Sequence, residues 1–249
     1  MKVSIVTVCY NSAQTIEDTI RSVLEQKYPE IEYIIIDGGS RDTTLEIVNR
    51  YKDRITKVVS EPDKGIYDAI NKGIRLATGD IVGVLNSDDF YTDRDVIAEV
   101  VKLFTEKQSD CIYGDLQYVD RDEPGKVKRN WVSGEYSEGM FYKGWMPPHP
   151  TFFIKNECYK KFGLFNLQLK SAADYELMLR MIHVHKIRTA YLKRVLVKMR
   201  VGGKSNVTLL NRIKANREDK LAWNINGVKP KFYTLIMKPL SKLGQFLGR

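Results

Sequence analysis

Apolar and polar positions in the first half of the chain switch repeatedly between two periods. Residues 3–8, 33–36, 57–59 and 81–85 are short runs rich in β-branched residues, and they read as strands. Between them the apolar spacing becomes helical. Ile16, Ile20, Val23 and Leu24 share a face within 13–26, and Leu45, Ile47 and Val48 lie within 43–51. Ile66, Ala69, Ile70, Ile74 and Ala77 share a face within 66–77, and 96–104 continues the alternation. Ser12 stands where it could cap the first helix. Strands alternating with helices predict an α/β fold with a parallel sheet covered on both faces. Ligands bind such sheets beyond the carboxyl ends of the strands. Each predicted strand ends there in a polar cluster: Cys9-Tyr10-Asn11, Asp37-Gly38-Gly39-Ser40, Glu61-Pro62-Asp63-Lys64 and Asn86-Ser87-Asp88-Asp89.

Beyond Cys111 the pattern changes. Residues 111–113, 116–119, 126–131, 151–154, 188–191 and 195–201 read as strands, with helices at 157–162 and 173–183. Residues 133–150 are rich in Gly, Pro and aromatics, and a loop of this length inside a domain is often functional. A mostly polar helix is expected at 209–223. No linker interrupts the chain, so one domain at 1–205 with a C-terminal extension at 206–249 is the simplest division.

Composition narrows the partners without choosing one. The 249 residues carry a net charge of +9, which favours anionic ligands such as phosphates or acidic headgroups. A nucleic-acid binder would need a basic stripe with stacking aromatics, and that reading leaves the acids at the strand ends unexplained. Cys9, Cys111 and Cys158 lie far apart with no CxxC pair, so neither a zinc site nor a disulfide framework is expected. No signal peptide or long apolar run is evident, which points to a cytoplasmic protein.

Among the polar clusters, Asp88-Asp89 carries most chemistry. Adjacent carboxylates at a buried strand end repel unless a cation lies nearby, and Mg²⁺ or Mn²⁺ suits them; a solvated turn is the competing reading. Asp37 could accept from a nucleobase edge or close an Asx turn. Asp63 and Lys64 precede a helix N-terminus, where an anion would be favoured, or simply cap that helix. Asp174, at the start of a helix, is a candidate general base or a dipole-stabilised acid. His149, between Pro148 and Pro150, is a candidate metal ligand or substrate contact.

Five ordered segments together resemble family 2 glycosyltransferases with the GT-A fold. They are Val-Ser-Ile-Val-Thr-Val-Cys-Tyr-Asn at 3–11, Ile-Ile-Asp-Gly-Gly-Ser-Arg-Asp at 35–42, Asp-Lys-Gly-Ile-Tyr-Asp-Ala-Ile-Asn-Lys-Gly at 63–73, Ala-Thr-Gly-Asp at 77–80 and Leu-Asn-Ser-Asp-Asp at 85–89. His-Pro-Thr-Phe-Phe at 149–153, Gly163-Leu-Phe and Ala173-Asp174-Tyr-Glu-Leu extend the likeness to about residue 205, and resemble the subgroup that builds bacterial surface polysaccharides. The resemblance implies a Rossmann-like, mainly parallel sheet, with residues 1–110 binding a nucleotide-sugar donor and 111–205 binding the acceptor. It implies that Thr7, Tyr10 and Asn11 line the nucleotide pocket and that Asp37 binds the base, commonly uracil. Asp63 and Lys64 would lie near base and diphosphate, Asp88 would meet ribose or metal, Asp89 would ligate the metal, and Asp174 would be the catalytic base. The implied reaction is hexosyl transfer with inversion onto a saccharide or lipid-linked hydroxyl. Three positions depart from the family pattern: Gly38 replaces an acid, Asn86 stands where Asp-x-Asp has its first acid, and Ala173 precedes Asp174 where many members have Glu. The alternatives are a nucleotidyltransferase of sugar phosphates and a non-catalytic nucleotide-binding module. In the tail, Lys229, Lys231, Lys238, Lys242 and Arg249 alternate with apolar residues and no acid, a composition suited to the inner face of an anionic membrane.

Overall fold

The computed structural model describes residues 1–202, 209–235 and 237. Four strands, β1 (Val3–Cys9), β2 (Ile31–Asp37), β3 (Lys57–Ser60) and β4 (Ile81–Val84), pair in parallel in the order β3-β2-β1-β4. The helices α1 (Ile16–Leu24), α2 (Thr44–Arg50) and α3 (Ile66–Leu76) connect them. β1 and β2 are buried on both faces, which is why they read as nearly unbroken apolar runs. The period of two divides their side chains between two cores. Val3, Ile5, Tyr33 and Ile35 pack with Ile16 and Ile20 of α1 and with Val100 of α4 (Val96–Lys107), whereas Val6, Val8, Ile34 and Ile36 pack with Ala69, Ile70 and Ile74 of α3. Gly73 lets α3 lie directly on β1, since a Cβ there would come within 2.2 Å of Val6 Cγ1. Ser12 serves α1 through its carbonyl, which accepts the amides of Thr15 and Ile16, rather than as a side-chain cap.

The second half extends this sheet. β6 (Cys111–Val119) and β9 (Thr189–Arg200) are each one strand where the sequence pattern shows two. The pairing register between them shifts around Gly114–Leu116, and the period-two pattern slips at such an irregularity. β5 (Asp89–Tyr91) is a strand that the sequence pattern does not show; it pairs antiparallel with β9, Asp89 opposite Met199. β7 (Val127–Trp131) pairs with β6, and β8 (Phe153–Lys155) lies antiparallel between β4 and β6. Among the described residues the order is β3-β2-β1-β4-β8-β6-β9-β5, with β7 beside β6.

Two helices, α5 (Asn156–Phe162) and α6 (Ala173–Met178), follow β8, and α6 widens into a π-helical turn at Leu179–Val184. α7 (Leu209–Ile225) comes from the segment read as an extension, yet its Trp223 is fully buried and stacks on Tyr142 with ring centroids 4.9 Å apart. Lys231 folds back over the Tyr142 ring, 5.0 Å from its centroid. Lys238, Lys242 and Arg249, on which the membrane-docking expectation largely rests, lie outside the described residues. No helix among the described residues is long and apolar enough to cross a membrane. All three cysteines are free and buried.

Candidate active site

The four polar clusters are joined along one edge of the sheet. After β1 the chain turns at Asn11, whose φ of 49° lies in the left-handed region that Asn tolerates better than most residues. The Asn11 amide donates to Ser40 Oγ (2.8 Å), and Asn11 Oδ1 accepts the Arg41 amide (2.9 Å). The Ser12 amide donates to Thr44 Oγ1 (2.7 Å), and the Ser87 hydroxyl donates to Ser12 Oγ (2.8 Å). The Glu61 amide donates to the Asp37 carbonyl (3.0 Å), so the loop after β3 belongs to the same edge. Tyr10 is half exposed and leans on Gly38. Thr7 is placed differently: it is buried within the sheet, and its hydroxyl accepts from Tyr33 (3.1 Å).

Asp37, the last residue of β2, and Asp89, the first of β5, are in opposite states. Asp37 is buried and saturated. Its Oδ2 accepts the amides of Gly39 (3.1 Å) and Ser40 (3.0 Å) and the Ser60 hydroxyl (2.7 Å), while Oδ1 accepts the Ser40 hydroxyl (2.5 Å). Asp89 is equally buried, but its Oδ1 has no partner, and Oδ2 meets only Asn86 Nδ2 at 3.4 Å. The Oδ1 of Asn86 is also buried without a partner. Burial first, and then the neighbouring Asp88, push the Asp89 carboxyl well above the usual carboxylate range; burial raises half-buried Asp88 too. Arg200 is the cation built in beside them; its charge and backbone amide favour the ionised Asp89, but its guanidinium donors are engaged elsewhere. They reach the Asp88 carbonyl (3.1 Å), the Arg121 carbonyl (3.3 Å) and the Asp18 carboxylate. The Asp89 backbone is held in place by the Thr19 hydroxyl (2.7 Å).

On the loop after β3, Lys72 of α3 is the lysine that binds the loop's own acids. Its ammonium binds Asp63 Oδ1 (2.6 Å), Glu61 Oε1 (2.9 Å) and the Pro62 carbonyl (3.0 Å). Lys64 is exposed, and its amide donates to Asp68 Oδ2 (3.0 Å) in the first turn of α3.

Asp174 lies at the start of α6 and accepts the Tyr67 hydroxyl at 3.2 Å. Tyr67 stacks on Phe165, and His149 meets the same ring edge-on at 5.4 Å. Burial lowers the His149 pKa and nearby Asp174 opposes it, a balance that favours the neutral imidazole. Tyr118 of β6 stacks on Trp131, with the Arg129 guanidinium over its ring. Burial raises its phenol, Arg129 lowers it, and the carboxylates of Asp89 and Asp174 both raise it. The two acids therefore lie within electrostatic reach of one hydroxyl.

The donor set at the end of β4 fits Mg²⁺ or Mn²⁺. It offers a buried carboxylate oxygen and a buried amide oxygen without partners, with a second carboxylate alongside. Hard divalent ions of this kind take few carboxylates and complete their shell with water and phosphate oxygens. No group of three His, Cys, Asp or Glu side chains suited to a metal occurs among the described residues, so His149 does not join Asp88 and Asp89 in such a cluster.

Sequence reading missed Tyr67, Lys72, Tyr118 and Arg200. Tyr67 and Lys72 do stand inside the 63–73 segment already singled out, whereas a lone Arg at a strand end gives no signal.

A family model described as glycosyl transferase family 2 matches residues 4–163. An uncharacterized glycosyltransferase of Mycobacterium tuberculosis is 32% identical over 180 residues, covering 72% of this chain and 68% of its own. A PGL/p-HBAD biosynthesis glycosyltransferase of Mycobacterium bovis is 27% identical over 208 residues, covering 82% and 78%. Among solved structures, S. aureus TarS 1–349 in complex with UDP superposes with a TM-score of 0.66 at 20% identity, covering 100% of this chain and 71% of that one. The mannosyltransferase PcManGT of Pyrobaculum calidifontis, in complex with GDP-Man and Mn²⁺, gives 0.67 at 21%, covering 97% and 69%. At these identities the two structures speak for the fold alone.

Proposed function

The chain belongs to glycosyl transferase family 2, and from that premise we propose that it moves a hexosyl group from a nucleoside-diphosphate sugar to a saccharide or lipid-linked hydroxyl, with inversion at the anomeric carbon. The fold is GT-A. The observation that carries the reading is the pair of orphaned oxygens, Asp89 Oδ1 and Asn86 Oδ1, buried beside a second carboxylate. Asp88, Asp89 and the Asn86 amide oxygen would hold Mg²⁺ or Mn²⁺ there. When bound, the ion supplies Lewis-acid and electrostatic stabilisation of a leaving diphosphate.

The chain's own residues divide the remaining work. Tyr10, Gly38 and Asp63 form the part of the edge open to a nucleobase, and Asp37 and Asn11 hold that loop in shape. Uracil is the base favoured by the motif resemblance, although neighbours carrying UDP and GDP-Man share this fold. Asp174, oriented by Tyr67, accepts the proton of the attacking hydroxyl. A positioned general base of this kind contributes on the order of 10²–10⁴-fold in rate. Neutral His149 beside it is suited to contact a hydroxyl. The setting is bacterial polysaccharide or glycolipid synthesis at the inner face of the membrane, where the basic tail would dock.

The test is turnover of a panel of UDP- and GDP-hexoses with Mn²⁺ and p-nitrophenyl hexosides as acceptors. Nucleoside diphosphate release is expected, to be abolished by EDTA and restored by Mn²⁺ or Mg²⁺. Pyrophosphate chemistry would mean a nucleotidyltransferase, and binding without turnover a non-catalytic module.

A further inference from the structure

Glu218 of α7 commits its whole carboxylate to the loop that leads into α6. Oε2 accepts the Ser171 amide (2.7 Å), the Ser171 hydroxyl (2.9 Å) and the Ala172 amide (3.0 Å), and Oε1 accepts the Lys170 amide (3.2 Å). Amides at and just before a helix start lack intrahelical partners, and α6 has no side-chain cap of its own. The missing acceptor is supplied from 46 to 48 residues away. Two further bonds fasten α7 and the turn after it to the residues that follow Asp174. Trp223 Nε1 donates to the Tyr175 hydroxyl (2.9 Å), and Asn226 Nδ2 donates to Glu176 Oε1 (3.0 Å). The Asp174 carboxylate itself accepts the Tyr175 amide (2.8 Å), so its direction follows the first turn of α6.

We infer that Glu218 is a positioning residue: by clamping residues 170–172 it fixes the first turn of α6 and thereby the aim of the Asp174 carboxylate. The inference rests on Asp174 as the base. It gives the segment beyond the family match a part in the reaction, since that match ends at residue 163 while the clamp comes from α7.

Two variants test it. Glu218→Ala removes the acceptor. Glu218→Gln keeps the shape but turns an NH₂ toward one of the amides, and its effect should be intermediate. Amide hydrogen exchange reads the clamp without any ligand, calorimetry with Mn²⁺ and UDP reads donor binding, and nucleotide release from the hexose panel reads transfer. Exchange should accelerate from 170 to 175 in both variants. In Glu218→Ala, kcat should fall roughly 10- to 100-fold, with UDP affinity unchanged. Protection retained through 175 would overturn the inference, as would unchanged kcat despite lost protection, or equal losses of UDP affinity and kcat. Asp174→Asn separates the two claims. Near wild-type transfer in that variant would sink the base assignment, whereas the exchange result decides the clamp by itself.

Discussion

The edge after β2 and the edge after β4 each end in a fully buried aspartate, and the two differ in what surrounds the carboxylate. At Asp37 the protein provides every partner: two amides and two hydroxyls within 3.1 Å. At Asp89 it provides one long contact and leaves an oxygen orphaned. Leaving a buried polar atom unsatisfied costs about 1–3 kcal/mol, and more if it is charged. Asp37 thus has a partner for each oxygen without a ligand. Asp89 is incomplete, and a divalent ion would complete it. On the proposed reading, the same residue type serves architecture in one case and chemistry in the other.

Replacing Asp89 should break the comparison most strongly. Asp89→Asn leaves a neutral amide where a cation needs an anion, and kcat/KM should fall on the order of 10²–10³-fold. Metal-dependent UDP binding, followed by calorimetry, should disappear. Stability should move the other way. In EDTA the folded carboxyl holds its proton more tightly than the unfolded one, because its folded pKa is raised. Stability of the wild type then declines as pH rises from about 4 toward that raised value, and is fully present only below the unfolded pKa. The Asn variant lacks this slope, so in EDTA at neutral pH it should melt above the wild type. A lower melting temperature with metal binding intact would mean that Asp89 is structural, like Asp37.

The positions of these acids are legible in the sequence; their states are not. β1, β2 and β4 are buried on both faces, so their apolar runs and helical intervals are plain, and with them the places where polar loops must emerge. β5 escapes notice because it is three residues long and opens with Asp89 itself. Gly39 and Ser40 supply three of the four partners of Asp37 within 3.1 Å locally, as an Asx turn would, but the other decisive partners come from elsewhere. Ser60 reaches Asp37 from 23 residues away, Tyr67 reaches Asp174 from 107, and Arg200 reaches Asp18 from 182. Local pattern carries none of these pairings. Thr7 shows the same limit, since its place in a rim motif does not reveal that its hydroxyl faces Tyr33 inside the sheet.

Asp37→Asn sharpens the contrast from the other side. With the NH₂ at the Oδ2 position it faces the Gly39 and Ser40 amides, and with the NH₂ at the Oδ1 position the Ser40 hydroxyl must turn from donor to acceptor and loses its own acceptor. The expected loss is about 1–3 kcal/mol of stability, measured by urea unfolding. Metal affinity should be unchanged, because the orphaned oxygens lie on the other loop. Wild-type stability in this variant, with donor binding lost, would turn Asp37 from a scaffold into a direct ligand contact.

The smallest expected effect is at Gly38, where the two loops after β2 and β3 meet. A Cβ there would lie 2.9 Å from Asp63 Oδ2 and 3.5 Å from Tyr10 Cδ2. The carboxylate cannot swing away freely, since Lys72 holds its other oxygen at 2.6 Å. Tyr10 sits at ordinary contact distance and need not move, so Gly38→Ala must displace the Asp63 carboxylate against its ion pair with Lys72. The fold should tolerate so small a shift with little change in melting temperature. A carboxylate displaced at the proposed base site costs binding instead, about 1 kcal/mol or roughly fivefold in UDP affinity. The metal affinity of the β4 edge, read in the absence of nucleotide, should stay as in the wild type. Tighter UDP binding, or a loss of metal affinity without nucleotide, would show that the space beside Gly38 is not where the base lies.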